Sequence, residues 1–371
     1  MRVAFAVFVA LHGLIHGMGF AKAFGLARLE ALTSPIGRAM GGLWLGAGLG
    51  LVAAAVALVA APRWFWVAAG VGAIASQVAI VSAWSDARFG TIANAAVVVA
   101  ALYGAFAWGP FGLREELRRA VAGAIAGPQA ATTTVSEGEV GRLPGPVQRY
   151  LRYVGAVGLP RPQGFRARFT GRIRGGPEAP WMGFVAEQYN FYDPPRRYFW
   201  MDARRGGLPV DVFHRYEAGA ASMRVRLLSL AEMVAQEGAT LSRAETVTIL
   251  NDMAIFAPGT LIDPAIEWEE VDARRARATY TQGPHTIQAE LVFDEAGALV
   301  DFISDDRPAL EADGVTLTPQ RWSTPIGAYR AQGPVRLASR GEGRYAPASG
   351  EYAYLELEDV EVTYAVTEGP R

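Results

Sequence analysis

Residues 41–61 read GGLWLGAGLGLVAAAVALVAA, Pro62-Arg63 follows, and residues 64–84 read WFWVAAGVGAIASQVAIVSAW. Neither run contains Asp, Glu, Lys or Arg. A helix needs roughly 20 apolar residues to cross a hydrocarbon core of about 30 Å, and each run has that length. Two more runs without such charges flank them, Val3 to Phe20 and Thr91 to Leu113. Four in succession with short connections predict membrane-spanning helices rather than the core of a water-soluble domain. The punctuation agrees. Ser34-Pro35 suits a helix start before the second run, and Pro62-Arg63 breaks the chain between the second and third. Trp64, Trp66, Trp84 and Trp108 lie near run ends, where indoles favour the interface.

Composition points the same way. The chain has 371 residues, a formal net charge of -1, 51% hydrophobic residues and 19% charged residues. A soluble domain averages about 25% charged. The near-zero charge gives no reason to expect nucleic acid as a partner. There is no cysteine, which excludes disulfides, thiolate catalysis and thiolate metal sites. Arg2 before an apolar stretch and Ala21-Lys22-Ala23 resemble a secretory signal, but the run is long for one and lysine is poor at a cleavage site. The first run is therefore read as a retained span. Gly42, Gly46 and Gly50, and likewise Gly13 and Gly17, repeat every four residues and predict close helix packing along those rows. The basic residues near the span ends are almost evenly divided between the two sides, so they do not set the orientation.

Polar residues inside the spans are few, and at membrane depth they are costly and candidates for function. Antiparallel folding brings His16, Gln77 and Asn94 into one leaflet, with Lys22, Asp86 and Arg88 at its rim. His12 shares a helix face with His16. These seven residues form the candidate ligand-binding set. Two histidines on adjacent turns are too few ligands for zinc and cannot clamp opposite faces of a haem, so no metal and no cofactor is expected. Interhelical hydrogen bonding is the plainer reading of the cluster.

After a segment rich in Ala, Gly, Thr and Glu, the pattern changes. Val147, Tyr150, Leu151 and Val154 predict a short helix with one apolar face. From Phe165 the period is two, with extended patches at 182–189, 197–202, 209–216, 223–228, 266–271, 275–280, 286–293, 299–304 and 352–366. Ser242-Arg243-Ala244-Glu245 matches a capping box, and Val247, Leu250 and Met253 give the following helix an apolar stripe. The expected architecture is a four-helix transmembrane bundle plus an α+β soluble domain, a curved, half-barrel-like antiparallel sheet covered by helices. The expected divisions are 1–113 membrane domain, 114–145 helical extension and linker, and 146–371 β-rich domain.

His12-Gly13-Leu14-Ile15-His16, Gly19 to Phe24, Ser76-Gln77, Trp84 to Asn94, Glu187-Gln188 and Ile266-Glu267-Trp268 together resemble an uncharacterised bacterial membrane-protein family. Arg88 stands where lysine would be expected. The resemblance covers most of the chain and implies a C-terminal domain similar to the lipoprotein-carrier (LolA/LolB-like) half-barrel. That likeness implies binding rather than catalysis, and a bacterial cytoplasmic membrane as location.

No nucleophile elbow, zinc-protease helix or phosphate-binding loop is present. His214 and His285 read as strand or surface residues, and Glu267, Glu269 and Glu270 as a solvated strand face beside Arg274, Arg275 and Arg277. Glu187, among apolar neighbours, is expected to have a raised pKa if buried. The favoured function is a membrane-anchored binding protein, with the bilayer and a lipid or other apolar ligand as partners and protein partners undefined. The alternative is a membrane enzyme or cofactor protein using the intramembrane His/Gln/Asn cluster.

Overall fold

The computed structural model describes residues 2–30, 32–127, 133–311, 313–364 and 366–370. It divides into two compact units, Met1–Glu116 and Leu117–Arg371. Part of the expected linker, residues 128–132, lies outside the described residues.

The first unit contains α1 (Arg2–Ile15), α2 (Gly17–Ala23), α3 (Arg38–Ala60), α4 (Pro62–Ser82), α5 (Trp84–Ala87) and α6 (Gly90–Ala107). Among the described residues four stretches are long and apolar enough to cross a membrane: 22 residues for α1–α2 together, 23 for α3, 21 for α4 and 18 for α6. Pro62 occupies the first turn of α4, where its missing N–H costs no hydrogen bond. The first span is interrupted at His16. Its backbone N–H bonds to the Gly13 carbonyl, while its ring Nδ1 donates to the His12 carbonyl at 3.0 Å. A side chain inserted into the helical ladder is an identifiable cause of a local break.

The glycine rows pack differently from the sequence expectation. Gly17, Gly42 and Gly46 have nothing near the place of a Cβ. The inward row of α3 is Gly41, Trp44, Gly48, Leu51, Ala55 and Leu58, whose helical spacing turns the Gly42–Gly46 row outward. The close approaches are Gly13 on Gly48, where a Cβ would come within 2.8 Å of the facing carbonyl oxygen, and Gly50 on Gly72. No side chain fits between those backbones, so small residues set the helix spacing there.

In the second unit, α7 (Leu113–Ala126, beginning in the first unit), α8 (Glu137–Val140) and α9 (Gly145–Tyr153) precede the strands. Val147, Tyr150, Leu151 and Val154 are buried as their spacing predicted, and Tyr150 Oη donates to the Ala254 carbonyl at 2.7 Å. The strands are β1 (Gly164–Ile173), β2 (Met182–Tyr192), β3 (Pro195–Arg205), β4 (Leu208–Glu217), β5 (Ala220–Leu227) and β6 (Ala231–Glu237). After α10 (Ala239–Phe256) come β7 (Ile266–Asp272), β8 (Arg275–Gln282), β9 (His285–Phe293), β10 (Leu299–Ser304), β11 (Ala309–Leu310) and β12 (Leu317–Thr318). The last are β13 (Arg321–Ser323), β14 (Ile326–Gln332), β15 (Val335–Ala346) and β16 (Tyr352–Tyr364).

One antiparallel sheet runs β6-β5-β4-β3-β2-β1-β16-β15-β13-β10-β9-β8-β7, with β14 paired to β15. Helix α10 touches β5 and β6 from one arm and β9 and β10 from the other. A single helix reaches strands so far apart in that order only if the sheet curls around it. The arms also meet at their turns, where His285 Nε2 bonds to the Gly219 carbonyl at 3.0 Å. The sheet is therefore a curved open half-barrel with α10 along its concave face.

Two expectations for α10 need correction. The helix starts at Ala239, capped by Gly238 at φ 107°, a conformation for which glycine is the suited residue. Ser242 lies inside the first turn. Its Oγ donates to the Gly238 carbonyl and accepts from Ala221 N–H at 2.9 Å, so it does not cap, and Glu245 is recruited elsewhere. Nor does α10 bury a stripe alone. From Leu241 to Phe256 every residue except Arg243 is buried, polar ones included. A helix wrapped by a sheet has no wet face.

Candidate functional site

Alternation on neighbouring strands carries the β-domain site. Gln188 and Asn190 of β2, Arg197, Phe199 and Met201 of β3, and Val212 and His214 of β4 point to the concave face, where α10 presents Glu245, Thr248, Asn251, Asp252 and Ile255. Between these surfaces lies a cavity of about 150 Å³. Its walls are largely apolar, and a polar network occupies one side.

Arg197 organises that network. Its Nη1 donates to Glu245 Oε2 at 2.9 Å and its Nε to Asp252 Oδ2 at 2.8 Å. The same Asp252 oxygen accepts from Gln188 Nε2 at 2.7 Å and Asn190 Nδ2 at 3.0 Å. His214 Nδ1 stands 3.2 Å from Glu245 Oε1. All but His214 are buried, so each group depends on its partners for the solvation that water would supply. The two carboxylates respond differently. Burial works against ionising Glu245, but Arg197 and His214 together hold its carboxyl well below the usual range. For Asp252 burial prevails and its carboxyl is raised, with Arg197 and the Asn190 amide opposing.

Arg307, between β10 and β11, lines the same cavity. Its guanidinium lies 4.5 Å from the Trp322 ring centre, Nε donates to Thr248 Oγ1 at 3.1 Å, and Nη1 donates to the Tyr345 hydroxyl. An outer groove of about 300 Å³ shares Ile326, Arg340, Gly341, Glu342 and Leu357 with the cavity, so those residues form the boundary between them. A larger space of about 620 Å³, bounded by Pro160, Pro162, Pro258, Pro334 and Tyr364, carries no comparable cluster. Arg161, the charged residue on its wall, is paired with Asp263. The smaller cavity holds the chemistry.

The predicted polar residues of the spans fall into two groups. His12 Nε2 lies 2.9 Å from Asn94 Oδ1, Ser76 Oγ lies 2.8 Å from His16 Nε2 and 2.9 Å from Asn94 Oδ1, and Asn94 Nδ2 donates to Gln77 Oε1 at 2.9 Å. Gln77 Nε2 continues to Thr91 Oγ1 at 3.1 Å. His12, His16, Gln77 and Asn94 are thus joined, with Ser76 as the hub. Beside His16, whose ring centre is 5.3 Å away, the indole N–H of Trp44 is buried without an acceptor among the described residues.

The other three stand outside the network. Asp86 accepts from Thr33 N–H, Thr33 Oγ1 and Ser34 N–H, each at 2.7 Å, tying the connection between α2 and α3 to the one between α4 and α6. The Ser34 N–H and the Thr33 hydroxyl hold its carboxyl well below the usual range. Lys22 Nζ donates to the Leu32 carbonyl, and the Arg88 guanidinium lies 5.2 Å from the Phe89 ring centre. No group of three or more His, Asp or Glu among the described residues is disposed to hold a metal.

Sequence reasoning missed Arg197, Glu245, Asp252, Asn190 and Arg307; His214 is a strand residue, as expected, on β4, but its ring joins the cluster through Glu245. Their signal was present but weak: two acids seven residues apart, inside an otherwise apolar helix. Glu187 differs from expectation. Burial raises its pKa, but Tyr189 and Arg166 outweigh burial and the net direction is downward. The acidic run behaves as expected of a wet strand, with Glu269 paired to Arg277 at 2.8 Å.

Residues 133–357 match the model of a family of unknown function, DUF6544. No curated protein matches the chain. Three similar solved structures are a DUF1329 family protein from Desulfovibrio piger, a putative outer membrane lipoprotein-sorting protein domain from Vibrio parahaemolyticus and a LolA superfamily protein from Nitrosomonas europaea. The first has a TM-score of 0.34 and 12% identity, covering 64% of this chain and 96% of its own. The second has 0.32 and 10%, covering 55% and 86%. The third has 0.30 and 9%, covering 63% and 92%.

Proposed function

The chain belongs to the family of unknown function DUF6544, and from that premise we propose that it is a membrane-anchored binding protein whose β domain accepts a lipid or other apolar ligand beside α10. The observation that carries this reading is the cavity between α10 and the concave sheet, apolar on most of its wall and polar at one side. Ligand pockets have that composition, with a few placed polar groups fixing orientation. The four long apolar helices support anchorage in a bilayer, proposed to be the bacterial cytoplasmic membrane. Extraction of the purified full chain, followed by mass spectrometry of retained apolar molecules, tests the reading. The wild type should retain a ligand that Ile255→Trp, which fills the cavity, releases. Equal retention by both proteins, or none by the wild type, would sink it.

A second reading assigns a ligand or cofactor to the His12–Ser76–Asn94 cluster. The buried Trp44 N–H beside His16 favours it, because such a donor normally finds a partner. The absorption spectrum and metal content of the purified chain decide it. A chromophore or stoichiometric metal that Ser76→Ala abolishes would support this reading, and a colourless, metal-free protein would count against a haem or metal cofactor.

A further inference from the structure

Arg197 and Arg307 line the same cavity but differ in what their donors meet. Each of the three Arg197 nitrogens has an acceptor, with Asp252, Glu245 and Gln188 Oε1 arrayed around its guanidinium. Arg307 uses Nε on Thr248 and Nη1 on Tyr345, and among the described residues it forms no ion pair and its Nη2 has no acceptor. A guanidinium carries five N–H donors in a planar fork, so donors remain open at this wall. The charge is balanced only at a distance. Glu245 acts on Arg307 through space rather than by contact. Trp322 beneath the guanidinium and the Tyr345 hydroxyl fix its plane.

Open donors on a fork held against an apolar wall match paired acid oxygens, which an Arg binds bidentately. Phe169, Phe199, Ile255 and Phe256 form the apolar wall, and Ile326 and Gly341 border the outer groove. A cavity of about 150 Å³ admits a benzene-sized apolar group, room for the carboxylate-proximal carbons of one acyl chain and not of two, with the remainder passing Ile326 into the outer groove of about 300 Å³. We infer that the ligand is a single-chain acid of the fatty-acid class, its carboxylate seated on Arg307 and its chain lying along Phe199 and Ile255 toward Ile326. This inference rests on the binding reading above and specifies the ligand of that site.

The test uses the full chain in lipid nanodiscs. The probes are a palmitic acid carrying a photoactivatable diazirine at its far end and the matching fatty alcohol. Labelled peptides are mapped by mass spectrometry. The acid should label the Ile326 region and the outer groove beside it more strongly than the alcohol. Arg307→Gln should lower acid labelling there about tenfold or more, the scale of one charge-assisted hydrogen bond, and leave alcohol labelling unchanged. Tyr345→Phe should lower acid labelling in the same selective way by a smaller factor. Equal labelling by acid and alcohol in the wild type, or unchanged acid labelling in Arg307→Gln, would overturn the carboxylate while the apolar site stands. If neither probe labels that region, the binding reading itself fails. If Arg307→Gln loses both probes through misfolding, Tyr345→Phe decides: selective loss of the acid supports the inference and its absence overturns it.

Discussion

Replacing Arg197 with methionine should destabilise the β domain far more than an ordinary polar-to-apolar change. Methionine keeps much of the side-chain volume and removes the one cation that contacts both Glu245 and Asp252. All three side chains are buried, at 8% exposure or less. Leaving a buried carboxylate without its partner costs about 3–5 kcal/mol, and here two are left. For a domain of this size each kcal/mol corresponds to roughly 2–4 °C, so the midpoint should fall by about 6–20 °C for one orphaned carboxylate and by more for two. Hydrogen exchange read by mass spectrometry isolates the effect, because peptides of β2, β3 and α10 report on the β domain independently of the spanning helices. Adding Glu245→Gln and Asp252→Asn to Arg197→Met removes the orphaned charges and should restore a large part of the loss, since a buried ion pair is itself of small net value. A loss below about 1 kcal/mol in the single variant, or a triple variant no more stable than the single, would refute the argument that this network is held by mutual charge compensation. The pH dependence has two opposing parts. Glu245, with its folded pKa depressed, contributes stability above its unfolded value of 4.5 that is lost as pH falls. Asp252, with its folded pKa raised above 3.8, favours the folded state more at low pH and loses that contribution as pH rises.

Burial raises the Asp301 carboxyl to about 6, so β-domain stability should decline as pH rises from 3.8 through about 6 and then level; Asp301→Asn should flatten that segment of a pH series of denaturation midpoints. In the bundle, Gly48→Ala meets the Gly13 carbonyl at 2.7 Å and should cost about 1–3 kcal/mol. Gly42→Ala, with open space around it, should be neutral in the same detergent-denaturation assay, and equal effects at the two sites would contradict the packing described. Four spans, if all cross a bilayer, would place the two chain ends on the same side of it, so reporters fused to each end should agree; opposite sidedness would remove a span from the count. Asn94→Ala removes the bonds Asn94 makes to His12, Ser76 and Gln77, leaves Ser76 Oγ 3.5 Å from His12 Nε2, and should cost about 1–2 kcal/mol, measurable in that assay.

The spanning helices were legible because a helix satisfies its own backbone, so composition and length suffice to recognise one that tolerates lipid. Most strands were legible from their alternation. The misses have local causes. Strand β15 carries Gly341 and Gly343 where alternation would ask for side chains, and the Gly343 position is filled by the Tyr354 ring, within 3.0 Å of where a Cβ would sit. Strand β6 is an edge strand with charged ends, a pattern that also reads as loop.

The sequence by itself determined that four helices are apolar enough to span a bilayer, that a β-rich domain follows them, and that the few polar groups of the spans would seek one another. Each of those outcomes follows from a period, a length or the cost of an unpaired polar group, all of which are properties of short segments. Tertiary structure decided which glycines touch, that Ser76 joins His16 to Asn94, and that Lys22, Asp86 and Arg88 stand apart from them. It also decided the β-domain site. Arg197, Glu245, Asp252 and Arg307 are charged residues that a strand, helix or loop pattern assigns to water. They became interior only because the two arms of the sheet curl around α10, an event set by contacts between strands far apart in the chain, which no local pattern encodes.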